Sequence, residues 1–120
     1  MTDTVIYHMA HSADWAAAKA GAPYAGSADD RRDGFIHFST AEQVAESAAK
    51  HRAGQENLIL VAVEAAKLGA ALRWEEGRRG QAFPHLYGPL PLDAVVKTTP
   101  LPLGSDGRHV LPAHIPSAPA

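Results

Sequence analysis

Leu58-Ile59-Leu60-Val61-Ala62-Val63 is an unbroken apolar run with three β-branched residues, the pattern of a strand covered on both faces. The segments downstream of this run decide the fold class. Ala71–Glu75, after a turn at Leu68-Gly69, reads as a further strand, and Gly77–Gly80 as a hairpin tip. Phe83–Tyr87 is extended, helped by Pro84, which biases its predecessor towards β. Gly88-Pro89-Leu90-Pro91 makes a stiff turn, and Ala94–Thr98 is a last strong strand. A short strand is expected around His109–Leu111. No helix fits between these later strands, so a doubly wound fold is excluded.

Upstream of the run the pattern alternates. Thr4–Met9 is β-branched and aromatic and reads as a strand. Ser12 is placed to cap a helix over Ala13–Ala20, with Gly21 as its stop and Pro23 beyond. Residues 21–33 are glycine-rich, polar and charged, which predicts a mobile surface loop. Gly34-Phe35-Ile36-His37-Phe38 is a second strand. Thr40 with Gln43 then forms a capping box for a helix whose stripe is Ala41, Val44, Ala45 and Ala48, closed by Gly54. Two early helices before a run of strands predict an α+β fold with a small, split, largely antiparallel β-sheet. With 120 residues the expectation is one domain over residues 1–111. Residues 112–120, rich in proline and alanine, form a tail expected to fray from Pro112.

Composition narrows the function classes. There is no cysteine, so disulfides, thiolate nucleophiles and Cys-ligated metals are excluded. The net charge is −2, and the pairs Arg31-Arg32 and Arg78-Arg79 lie among acids and glycines. That is too small a basic footprint for nucleic acid. Met1-Thr2-Asp3-Thr4 lacks a basic start, Val5–Met9 is too short for a signal core, and no run spans a membrane. The expected location is the cytoplasm.

Seven histidines are present, and three sit inside predicted strands beside aromatics. Alternation puts His8 on the face of Ile6, His37 with Phe35 and Ser39, and His85 with Phe83 and Tyr87. One such histidine reads most simply as a hydrogen-bonded core residue. Three in similar surroundings point to a shared cleft, because a buried imidazole must find polar partners each time. His11 and His51 read as exposed or capping residues, and His109 and His114 carry no signal. Leu72-Arg73-Trp74-Glu75-Glu76 reads as a packed tryptophan beside a solvated Glu pair, and Glu64 as a salt-bridge residue. No dinucleotide fingerprint, phosphate-binding lysine loop or nucleophile elbow is present.

The blocks Ile6-Tyr7-His8, Trp15, Gly34 to Thr40, Leu72-Arg73-Trp74-Glu75 and Phe83 to Leu90 resemble the domain of unknown function 952 family over roughly residues 4–103. That family in turn resembles the ADP-ribosyltransferase fold, a split-sheet cleft that holds NAD. The resemblance implies NAD as cofactor, with Tyr7, His8, Phe35, His37, Ser39 and Tyr87 around it. It also implies His8, His37 and His85 as catalytic residues. His8 would lie on the ribose, His37 would take the place of the tyrosine that stacks on nicotinamide, and His85 would stand nearest the late-strand glutamate of such transferases. Imidazole at that last place supplies acid–base chemistry but no fixed negative charge beside an oxocarbenium-like transition state. NAD-dependent RNA 2′-phosphotransferases share the fold without that glutamate, and the arginines they use have no match here.

Three readings stay open. The first is a nucleotide-binding cleft for NAD or an ADP-ribose-type ligand, with glycosyl or phosphoryl transfer. The second is a three-histidine metal site with a position left for water. The third is a binding module without turnover.

Overall fold

The computed structural model describes residues 4–115. Six strands form two antiparallel three-stranded sheets. In the larger sheet β3 (Leu58–Glu64) lies between β1 (Val5–His11) and β6 (Val95–Leu101). This is the expected strand covered on both faces: Ile6, Val61 and Val63 pack towards one core cluster, Leu58, Leu60 and Leu101 towards another. Each such side chain contributes roughly 1.5–3 kcal/mol by leaving water. In the smaller sheet β5 (Ala82–Leu86) lies between β2 (Ile36–His37) and β4 (Leu72–Glu76). The strand expected around His109–Leu111 is reduced to an isolated bridge between Leu103 and His109.

Among the described residues one backbone bridge joins the sheets. Tyr7 of β1 and Ser39, just past β2, exchange both backbone hydrogen bonds at 2.8 Å each. The sheets also share a core, in which Ile6, Val61 and Val63 of the larger sheet cluster with Ile36 and Leu86 of the smaller. The α+β class and the antiparallel sheets agree with the sequence reading.

Helix α1 (Ser12–Lys19) buries Trp15 and Ala18. Ser12 does not cap it: its hydroxyl and amide both donate to the Asn57 carbonyl, which ties the helix start to the entry of β3. The expected loop 21–33 contains a helix, α2 (Ala28–Asp33), opened by a capping box between Ser27 and Asp30 and closed by Gly34 in the left-handed conformation. Helix α3 runs over Val44–His51, and the Gln43 side chain accepts the Thr40 amide as the capping pattern predicts. Within the expected tail Ile115 is buried with Tyr7 and Val44, and residues 116–120 lie outside the described residues. No helix among the described residues is long and apolar enough to cross a membrane.

Candidate functional site

A cavity of about 300 Å³ lies beside the sheet junction, lined by Tyr7, His8, His37, Ser39, Phe83 and His85 among others. Antiparallel pairing sets His37 directly opposite His85, so both rings project from one face of the small sheet. Their centroids are 5.5 Å apart in an edge-on arrangement. His8 reaches the same cavity from the other sheet. All three strand histidines are thus brought together, though in different roles.

His8 forms the floor and is 2% exposed. Its Nδ1 lies 2.7 Å from the His37 carbonyl and its Nε2 lies 2.6 Å from the Tyr24 hydroxyl. A carbonyl can only accept, so Nδ1 carries the proton and Nε2 accepts from Tyr24. Burial pushes the His8 pKa down, against the pull of the Asp30 carboxylate, and keeps the ring neutral. Burial likewise raises that of Tyr24. With both nitrogens engaged, His8 has no lone pair to offer a metal. Among the described residues no group of three or more His, Asp or Glu is arranged to hold one.

The residue that organises the site is Asp30 of α2, 1% exposed. Its Oδ2 accepts the Ser27 amide at 2.7 Å and the Ser27 hydroxyl at 3.1 Å. Its Oδ1 accepts the His37 amide at 3.0 Å and His37 Nδ1–H at 2.5 Å. Burial alone would raise the Asp30 pKa. The hydrogen bonds from the His37 ring and from the His37 and Ser27 amides outweigh it and hold the carboxyl well below the usual range. Asp30 is therefore an anion that fixes the His37 ring, while His37 Nε2 faces Asp33 at 3.1 Å across the open side of the cavity.

His85 is held the same way. Its Nδ1 donates to Glu75 Oε1 at 2.7 Å, and Tyr87 donates to the same oxygen at 2.7 Å. Those two bonds, His85 first, lower the Glu75 pKa. The bond to Glu75 raises that of Tyr87. Phe35 stacks on the His85 ring with centroids 4.1 Å apart and meets Tyr87 at 5.2 Å. Of the expected ligand contacts, Tyr7, His8, His37 and Ser39 line the cavity. Phe35 and Tyr87 instead pack around His85.

Sequence reasoning misses Asp30 and Glu75. Asp30 sits in what reads as a charged loop, although the spacing Ser27-x-x-Asp30 is a usable capping signal. Glu75 reads as a solvated partner of a packed Trp74. The structure inverts that pair: Trp74 is 46% exposed, while Glu75 lies on the face of β4 that meets His85 and binds it.

A family model described as a protein of unknown function, DUF952, matches residues 9–98. The crystal structure of protein CC0527 from Caulobacter crescentus superposes with a TM-score of 0.88 at 49% identity, over 93% of this chain and 98% of that one. Its solution NMR structure gives a TM-score of 0.76 at 50% identity, over 87% and 90% of the two chains. No curated protein matches the chain.

Proposed function

We propose, for a chain that belongs to the DUF952 family, that the cleft between the sheets binds a nucleotide of the NAD or ADP-ribose type, with His37 and His85 as an acid–base pair for glycosyl or phosphoryl transfer. The observation that carries this reading is the pair of carboxylate-held imidazoles, Asp30–His37 and Glu75–His85, with ring centroids 5.5 Å apart. A carboxylate on Nδ1 fixes the ring and leaves Nε2 for proton transfer; at His37 a ligand would first have to take the place of Asp33, which lies 3.1 Å from Nε2 at the open side. Two such rings side by side can take a proton from one ligand atom and deliver one to another. His8 acts through them, because its Nδ1–H holds the strand carbonyl of His37.

Two small antiparallel sheets joined by one bridge support the resemblance to the ADP-ribosyltransferase fold. The cavity is at the small end of ligand pockets, a size suited to one nucleoside end of a dinucleotide. Tyr7, His37 and Ser39 would contact that end. NAD, when bound, supplies the activated glycosidic bond. Glu75 lends its negative charge to the His85 ring through the bond to Nδ1 and does not itself line the cavity. On this reading the chain acts as one domain in the cytoplasm, its core reaching past the expected boundary at residue 111 to Ile115.

Titration of NAD and of ADP-ribose against the melting temperature tests it, since a ligand bound only by the native state raises Tm. The expected outcome is a rise with at least one of them that His37→Ala and His85→Ala each weaken by roughly tenfold or more. Both variants should stay folded, because His37 is 42% exposed at its side chain and His85 belongs to neither core cluster. No rise with either nucleotide, or a rise that ignores both substitutions, refutes the proposal.

A further inference from the structure

Arg52 carries a charge that the protein buries at the cavity without an ionic partner among the described residues. It follows the last turn of α3 and is 8% exposed, and it lines the cavity. Its Nη2 donates to the Ser27 hydroxyl at 3.2 Å, and Nη1 reaches Gln55 Oε1 only at 3.5 Å. Among the described residues no carboxylate forms an ion pair with it. Two exposed arginines, by contrast, do have carboxylate partners. Arg32 pairs with Asp29 and Asp33, and Arg79 with Glu46. A buried guanidinium without a counter-charge is costly unless something anionic meets it.

The acids near the cavity do not serve as that counter-charge. Asp30 already accepts four hydrogen bonds and touches Arg52 only through the shared Ser27 hydroxyl. Asp29 and Asp33 lie at the open side with Arg32 between them. Ser47 and His51, one turn apart on the α3 face that leads to Arg52, line the same cavity. The planar fork of a guanidinium suits a group that offers two or three oxygens at once.

We propose that Arg52 is an anion-binding residue of the cavity and that its ligand carries a phosphoryl group. This deepens the nucleotide reading and rests on it for the identity of the rest of the ligand. The Arg52 interaction itself stands or falls separately. Phosphate could come as part of a nucleotide or as another phosphate compound, and the arms of the test separate these.

The experiment is a thermal titration of the full chain with inorganic phosphate, ADP-ribose and adenosine at constant ionic strength, for the parent protein and for Arg52→Gln. Phosphate and ADP-ribose should raise the parent's Tm and adenosine should do so far less. Arg52→Gln should weaken the phosphate response roughly tenfold or more. Without ligand, its Tm should be equal to the parent's or higher, because an uncompensated buried charge is gone. In parallel, the Arg52 Nε–H resonance of the parent protein should shift as phosphate is added, a readout independent of any variant's folding. A lowered Tm in Arg52→Gln with an unchanged phosphate response makes Arg52 a structural residue and overturns the proposal, as does an Nε–H resonance that stays still. ADP-ribose binding that survives Arg52→Gln, with no response to phosphate, overturns the subsite but leaves the cleft reading intact. Phosphate binding through Arg52 with no response to ADP-ribose or NAD supports the subsite and sinks the nucleotide reading.

Discussion

At the scale of single residues, the site depends on a carboxylate that is buried and ionised. Asp30 can hold its charge only because four donors converge on it. Asn in its place turns an amide N–H towards groups that are themselves donors. Asp30→Asn should therefore cost about 2–4 kcal/mol at pH 7. Its pH dependence has a defined sign. The folded pKa of Asp30 lies below its unfolded value of about 4. The unfolded chain thus binds the proton first as pH falls, and this contribution is complete above about pH 4 and lost below it. Urea midpoints measured from pH 7 to pH 2 should show a flatter acid limb for Asp30→Asn than for the parent. Parallel acid limbs would mean that the Asp30 charge is not what the fold depends on.

At the scale of elements, the six-residue helix α2 exists to deliver Asp30, and two glycines bracket it. Gly26 has φ +92°, and a Cβ there would overlap the Asp30 side chain; Gly34 has φ +87° with open space around it. Gly34→Ala should cost about 1 kcal/mol from the backbone alone. Gly26→Ala should cost more and also weaken ligand binding, because the displaced Asp30 loosens His37. Melting temperatures and nucleotide titrations of the two variants check this, and a larger loss for Gly34→Ala would refute it. The same helix marks where the sequence ceases to be readable. Period-two alternation groups His37 with Phe35 and Ser39, and His85 with Phe83 and Tyr87, but the pairing that sets the two histidines on one face comes from the register of β2 against β5. Alternation cannot reveal Asp30, since Ala28-Asp29-Asp30-Arg31-Arg32-Asp33 has no apolar stripe and its helicity comes from a cap and from contacts made elsewhere in the fold. Glu75 is hidden for a related reason. Which of two adjacent glutamates faces the site depends on the register of β4 against β5, and that is set by the hairpin. The exposure of Trp74 runs against its hydrophobicity, and nothing in the sequence marks it.

At the scale of the whole molecule, the two sheets differ in how firmly they are built. β3 is paired along its length on both sides, whereas β2 contributes two residues to its sheet and joins the large sheet through one bridge. Amide exchange should therefore be slowest along β3 and at least about tenfold faster in α2 and β2. Uniform protection across both sheets would show that the small sheet does not open separately. Such local opening is what a cleft needs in order to admit a ligand larger than its resting volume. The interior also contains its own optical gauge. Trp15 sits edge-on to Tyr24 with centroids 5.2 Å apart, and Tyr24 is bonded to His8 beneath the cavity. The second tryptophan, Trp74, stands in solvent on β4. Their emission colours should differ without any label, blue for the sheltered indole and red for the wetted one. Light from Trp15 then reports on the cavity floor while Trp74 serves as an internal reference.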